Sequence, residues 1–324
     1  VQSPGSLQGK LLRGADRGRD CTFSLHKVQD FVAHYQRSCQ VGAPWYSYTM
    51  MQPLILVTND DGIHSQGLWA AAEALLPLGE VLVVAPDRQW SGAGRCMPAN
   101  VSGRLERADR EIQGCPVTAY AVDASPAKAV LHGVLELTPR RPALVVSGVN
   151  FGENVSIEVT ISGTVGAALE AAACGIPGLA VSLALPPDYH HHATGDGADY
   201  TAAQAVTRRF ARLMLNAALP YDADVLNVNL PREATPTTPW RLTRLSRHRY
   251  YMATPPDREN GEGRLGYRQM EDPSRVERDS DVYALRVDGV VSVTPLSLDL
   301  TARTDFGVLD ELLRGTLFEM ETGT

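Results

Sequence analysis

Leu54–Leu76 reads LILVTNDDGIHSQGLWAAAEALL, and the fold class follows from its three parts. Leu54 to Val57 is a short, almost wholly apolar run bounded by turn-formers, the pattern of a buried strand in a parallel sheet. Asn59-Asp60-Asp61-Gly62 supplies turn chemistry. After Ser65-Gln66-Gly67, the residues Leu68, Ala71, Ala72 and Leu75 keep the spacing of one helix face. Strand, acidic turn and helix in succession open an α/β fold with a mostly parallel sheet. Ligands of such sheets bind beyond the carboxyl ends of the strands, which is where Asp60 and Asp61 stand.

Adjacent carboxylates repel: at 4 Å and an effective dielectric near 20, two like charges cost about 4 kcal/mol. A hard divalent cation offsets that directly, since aspartate oxygens suit magnesium, manganese or calcium. The alternative is a solvated loop whose side chains diverge, so the pair needs partners before it counts as a site.

Composition bounds those partners. The 324 residues are 44% hydrophobic and 21% charged, enough to bury a full core. A formal net charge of −7 argues against a general nucleic-acid surface. No stretch approaches the roughly 20 apolar residues of a membrane span. Cys21, Cys39, Cys96, Cys115 and Cys174 form no CxxC pair, the usage of reduced thiols in a cytoplasmic protein. Val1 to Met50 has Arg and Gly clusters and only a weak apolar pattern; it reads as an extension outside the folded domain, either a tag or overlong start or a functional arm.

Further strand ends feed the same edge. Glu80–Ala85 is a second parallel strand, and its carboxyl-end loop, Pro86 to Gly92, brings Ser91 toward the acidic turn. Val101–Leu105 and Val117–Val122 read as strands, and Pro126 opens a helix to about Leu137. Ala143–Ser147 is a buried strand followed by the loop Gly148 to Gly152, which carries Asn150. Ser162-Gly163-Thr164 starts a helix of small residues, Val165–Cys174, whose amino end offers unpaired amides and a partial positive charge to a phosphate. Taken alone, Ser162 or Thr164 is also an ordinary helix cap. Gly178–Leu183 and Val225–Leu230 are further strands, with an amphipathic helix at Tyr200–Leu215. His190-His191-His192 reads as a solvated loop rather than a metal tract. Beyond Trp240 come short β segments, notably Val282–Val287 and Val290–Thr294, around a polar stretch at Pro255–Asp281, which reads as an appended hairpin region. Phe306, Leu309, Leu313 and Leu317 mark a carboxyl-terminal helix.

Asp60, Asp61, Ser91 and Asn150 thus supply oxygen donors on one expected edge beside an anion cradle, a constellation suited to phosphoryl transfer. The blocks TNDDGIHSQG (Thr58–Gly67), APDRQWSGA (Ala85–Ala93), SGVNFGEN (Ser147–Asn154) and SGTVGAALE (Ser162–Glu170) resemble the four signature blocks of the SurE family, and LNVNLP (Leu226–Pro231) and VSVTPLSLDLT (Val291–Thr301) resemble its later ones. The resemblance implies a Rossmann-like α/β domain over residues 51–324, with residues 240–324 forming an extended β-hairpin region and a carboxyl-terminal helix that are exchanged between subunits of a homodimer or homotetramer. It further implies a metal-dependent nucleotidase acting on nucleoside 5′- or 3′-monophosphates. By the same resemblance Asp60, Asp61, Ser91 and Asn150 match the ligands of one divalent metal ion per subunit, Mg²⁺ or Mn²⁺ with Ca²⁺ as a substitute. Asn150, Ser162, Gly163 and Thr164 match the phosphate contacts.

Some positions depart from the family pattern. Cys96-Met97-Pro98 stands for a Ser-Leu-Thr-like run, Ala124 to Ala129 with Lys128 for a Gly-Thr-Pro-x-Asp-Cys block, and Glu158 and Ile161 for Asp and Tyr. The metal and phosphate sets are untouched. Asp60 and Asp61 are the catalytic candidates, one of them also orienting a water; His64 is a candidate for protonating the leaving group or for stabilising the turn. A nicotinamide oxidoreductase is disfavoured because the first turn lacks GxGxxG and places carboxylates where a pyrophosphate would sit. An aspartyl-phosphate phosphatase usually has its two acids one residue apart. A non-catalytic metal- or nucleotide-binding module of the same fold remains the alternative.

Overall fold

The structure, a computed structural model, describes residues 52–185, 197–258, 261–263 and 265–321. The extension expected over Val1–Met50 and the histidines 190–192 lie outside the described residues.

Six parallel strands form the centre of a ten-stranded sheet: β5 (Cys115–Val122), β2 (Glu80–Pro86), β1 (Leu54–Thr58), β6 (Leu144–Phe151), β7 (Gly178–Leu183) and β8 (Val225–Leu230), in that spatial order. β3 (Leu105–Arg107) and β4 (Arg110–Ile112) pair antiparallel with β5. At the other side β12 (Val291–Leu296) runs antiparallel to β8 and carries β9 (Trp240–Leu242) on its outer edge. β10 (Tyr251–Thr254) and β11 (Gly266–Gln269) form a separate antiparallel pair. The mostly parallel α/β sheet expected from the sequence is present. The expected hairpin region divides, because β9 and β12 join the main sheet.

Alternation along β1 explains why both faces need helices. Ile55 and Val57 pack with Leu68 and Ala72 of α1 (Gln66–Leu75) and with Val206 and Phe210 of α4 (Thr201–Asn216). Leu54 and Leu56 point the other way, to Val130 of α2 (Pro126–His132) and Ala167 and Ala171 of α3 (Gly163–Ala173). A strand buried on both faces must read as a continuous apolar run, and LILV does.

Three expectations need correction. Val282–Val287 is not a strand: α5 (Asp281–Arg286) occupies it, nucleated by Ser280, whose hydroxyl accepts the Tyr283 amide at 3.2 Å. That N-cap outweighs the β preference of the valines. Val101–Leu105 is strand only from Leu105, because Ser102 is held by Asp123 through its amide at 2.9 Å and its hydroxyl at 2.5 Å. The helix expected to Leu137 is α-helical to His132 and then widens to a π turn at Gly133–Leu137.

Asp281 joins the segment before α3 to the base of the hairpin. Its buried carboxylate accepts the amides of Ser156 at 2.7 Å, Ser246 at 2.9 Å and Val282 at 2.8 Å. Burial raises its pKa to about 6, against those amides. Its folded value exceeds the ordinary one near 3.9, so its stabilisation is full below about pH 4 and is lost as pH rises through about 6. Asp281→Asn should lower stability at pH 7 by about 1–3 kcal/mol, since an amide nitrogen would face a backbone donor. It should also flatten the pH 4–6 slope. Denaturant melts at pH 4, 6 and 7 check this, and an unchanged slope would contradict it.

Candidate active site

The acidic turn is built by the residues around it. Asn59 closes it with two bonds to Gly62, its side-chain oxygen accepting the amide at 3.1 Å and its nitrogen donating to the carbonyl at 3.2 Å. Gly62 has φ +94°, a conformation that favours glycine, and a Cβ there would meet the Arg88 backbone at 3.1 Å. Ser65 then caps α1 by accepting the Leu68 amide at 3.3 Å. The turn therefore has one shape, with both carboxylates buried, each 5% exposed.

Asp60 faces the amino end of α3. The Thr164 hydroxyl donates to its Oδ1 at 2.6 Å, and the amides of Gly163 and Thr164 also bond it. Asp61 receives the Gln89 amide at 3.3 Å and the Phe151 backbone N–H at 3.4 Å, both long. Burial raises the pKa of each, offset at Asp60 by its hydrogen bonds and reinforced at Asp61 by the neighbouring charge, which pushes it well above the carboxylate range. Among the described residues, no lysine or arginine is among the leading causes of either shift. None holds a cluster of three His, Cys, Asp or Glu able to bind a metal. Any cation here must be met by the two carboxylates together with hydroxyl and amide oxygens, a hard donor set suited to magnesium, manganese or calcium.

The other expected residues lie on segments that adjoin the acidic turn. Asn150 is at the carboxyl end of β6, which runs to Phe151 through a register shift between Ser147 and Asn150. It was expected in a loop; the irregular strand keeps it beside Phe151, the residue that touches Asp61. Its side-chain nitrogen donates to the Gly152 carbonyl at 2.8 Å. Ser91 is exposed in the loop after β2, and the preceding Trp90 amide donates to the Asp60 carbonyl at 2.7 Å. Ser162 is the cap of α3, accepting the Val165 amide at 3.1 Å. Gly163 lies so close to Asp60 that a Cβ would be 2.7 Å from its Oδ2. His64 is exposed.

Residues given no role from sequence brace this edge. Asn154 donates its side chain to Ser182 at 2.9 Å and to the Thr164 hydroxyl at 3.4 Å, and its amide to Asn229 at 2.7 Å. The side chains of Asn227 and Asn229 both donate to its carbonyl, at 2.8 and 3.0 Å. The available signal was LNVNLP, with asparagine at every second position of a strand otherwise apolar. Asn154→Ala should remove the side-chain brace between β7 and Thr164 and lower turnover by about 10- to 100-fold. Steady-state kinetics check this, and full turnover would contradict it.

The departing residues serve structure. Lys128 donates to the Pro98 carbonyl at 2.6 Å, and Ser125 to the Cys96 carbonyl at 2.7 Å, tying the 96–98 loop to α2. Glu158 accepts the Ser156 hydroxyl at 2.8 Å and the Tyr250 amide at 3.3 Å, anchoring the start of the hairpin.

The sequence profile described as "Survival protein SurE" matches residues 55–252. The chain belongs to the SurE family. It is 42% identical over 274 residues to the 5′-nucleotidase SurE of Thermococcus gammatolerans, covering 83% of this chain and 98% of that one. It is 38% identical over 275 residues to the protein of the same name from Methanosarcina acetivorans, covering 82% and 99%. Among solved structures it resembles the SurE protein from Aquifex aeolicus, with a TM-score of 0.62 and 31% identity over 81% of this chain and all of the other. The SurE fold thus accounts for the carboxyl-edge assembly of acidic turn, Asn150 and α3.

Proposed function

We propose that this SurE protein hydrolyses nucleoside 5′- or 3′-monophosphates to nucleoside and phosphate, using one divalent cation per subunit. One observation carries the reading: two buried adjacent carboxylates abut the amino end of a helix, and among the described residues no lysine or arginine is among the leading causes that shift their pKa. Asp60, Asp61, Ser91 and Asn150 would hold the cation, Mg²⁺ or Mn²⁺, with Ca²⁺ a plausible crystal substitute. When bound, such an ion supplies Lewis-acid polarisation and a water of lowered pKa.

The chain's own groups then bind and orient the ester. Asn150 and Ser162 offer donors to phosphate oxygens, the Gly163 and Thr164 amides would turn to them from Asp60, and charge growing on those oxygens gains from the helix end. The Thr164 hydroxyl donates to Asp60 Oδ1 in the unliganded chain and would exchange that bond for one to the anion once a cation takes the carboxylate. Asp60 and Asp61 are the catalytic pair, one of them accepting a proton from the attacking water. No general acid is assigned; His64 is the candidate to test.

We further propose that residues 51–324 act as one nucleotidase unit, with residues 240–324 serving a homodimer or homotetramer. Phe306, Val308, Leu309, Leu312 and Leu313 of α6 (Phe306–Glu321) are each at least 38% exposed in the single chain, an apolar surface that supports association. The free thiols of Cys96, Cys115 and Cys174 suit the cytoplasm.

The test is phosphate release from a panel of nucleoside monophosphates and an aryl phosphate, with chelator or with added magnesium, manganese or calcium, alongside sedimentation of the same sample. Release restored by metal is the expected result. Metal and nucleotide binding without release would favour the non-catalytic module, and a monomer in sedimentation would remove the oligomer.

A further inference from the structure

A cavity of about 460 Å³ opens at the carboxyl ends of β7 and β8, lined in part by Glu153, Leu185, Arg232, Gln269, Leu285 and Arg286. Its size and mixed lining are those of a small-molecule pocket. It shares the sheet edge with the acidic turn. β7 and β8 stand two and three strands from β1, so at about 4.8 Å per strand the cavity is roughly 10–14 Å from Asp60 and Asp61. Glu153 on its wall is only three residues beyond Asn150. That separation suits one nucleotide, with its phosphate at the acidic turn and its base in the cavity.

Arg286 is the group in this cavity with defined recognition geometry. Its Nη1 donates to the Tyr250 hydroxyl and, at 3.3 Å, to the Gln269 side-chain oxygen, and its guanidinium lies over the Tyr250 ring at 5.6 Å. Behind it Glu153, 1% exposed, places a carboxylate oxygen 3.8 Å away. Arg286 itself is 35% exposed. Its Nε and Nη2 make no hydrogen bond among the described residues. The planar fork is therefore oriented while donors remain free. The rim pair Arg232 and Glu233 is looser, 3.7 Å apart and largely exposed. Two cations balanced by two anions give a second phosphate little net attraction, so the site suits a neutral group rich in acceptors.

Resting on the nucleotidase reading, we propose that this cavity is the base subsite and that Arg286 selects 6-keto purines, reading O6 and N7 of guanine or hypoxanthine. An arginine fork pairs with those two acceptors, whereas adenine presents an amino donor in place of O6. The discriminating pair is inosine and adenosine monophosphate, which differ at that one exocyclic position.

The test measures kcat/KM for both nucleotides with metal, and binding of inosine and adenosine by calorimetry with chelator present, on wild type, Arg286→Lys and Leu185→Trp. Lysine keeps a charge beside Glu153 but lacks the fork; tryptophan at position 185, another lining residue, narrows the cavity. The expected wild-type preference for the 6-keto member is roughly 5- to 100-fold. It should fall toward unity in Arg286→Lys, while Leu185→Trp weakens both nucleosides. Equal treatment of the pair by wild type, a preference unchanged in Arg286→Lys, or nucleoside binding untouched by Leu185→Trp would overturn the subsite. Nucleotide and aryl phosphate hydrolysis without discrimination would sink the subsite and leave the nucleotidase reading standing. Preferential inosine binding with no ester hydrolysis would do the reverse.

Discussion

Asp61→Asn should abolish phosphate release, by about 10³-fold or more, while the metal-free protein melts at a higher temperature than wild type. The first half follows from losing a charged oxygen ligand and a proton acceptor beside the reacting phosphate. The second follows from weighing two effects at one side chain. Asp61 is buried next to Asp60, and its hydrogen bonds from Gln89 and Phe151 are long, at 3.3 and 3.4 Å. Repulsion between such carboxylates is on the order of 4 kcal/mol at 4 Å and a dielectric near 20, more than two weak bonds return. A gain of even 1 kcal/mol raises Tm by roughly 2–4 °C in a domain of this size. Asp60→Asn should lose activity equally but gain no stability, because Asp60 has a 2.6 Å bond from Thr164 and the α3 amides to lose. Calorimetry of both variants with chelator, beside their kinetics, separates the two. Equal melting temperatures for Asp61→Asn and wild type would show that Asp61 is not held against its neighbour.

Gly163→Ala carries the second large effect. One methyl group would stand 2.7 Å from both the Cβ and the Oδ2 of Asp60, so either the acidic turn or the start of α3 must shift. Overpacking of that kind costs about 1–3 kcal/mol. A misplacement near 1 Å at a reacting centre costs on the order of 10²-fold in rate. The expected variant is folded, with a lower Tm, turnover reduced about 100-fold and weakened metal binding. Alanine favours helices over glycine by about 1 kcal/mol, so a more stable and fully active variant would show that α3 and Asp60 do not touch.

Much of this architecture was legible as pattern. LILV, EVLVVA and ALVV are strands because an apolar run of that length cannot stay in water, and Asn59 to Gly62 announces a turn by its residue types. The ends of the strands identified Asp60, Asp61 and Asn150 because parallel strands deliver their loops to one edge. Side-chain pairing across sequence distance was not legible. Gln89 meets Asp61 and Asn154 meets Thr164, Asn227 and Asn229 only after the sheet has assembled. α5 was misread in part for a related reason: Val282 and the following Val287 carry β preference, but Ser280 caps the helix locally at the Tyr283 amide and the buried Asp281 fixes its start through bonds to the distant amides of Ser156 and Ser246. Lys128 stood out only as a basic residue where the family pattern has an acid; its 2.6 Å bond to Pro98, which anchors a loop, is formed across 30 residues and could not be read from the sequence.

Crystals grown with Mn²⁺ test most directly, through the anomalous scattering of the ion, the proposed convergence of Asp60, Asp61, Ser91 and Asn150 on one divalent cation at the amino end of α3. The expected result is a single strong peak per subunit, about 2.0–2.6 Å from oxygens of the two aspartates and within reach of Ser91 and Asn150. A peak elsewhere, or none at the acidic turn at saturating Mn²⁺, would contradict the account.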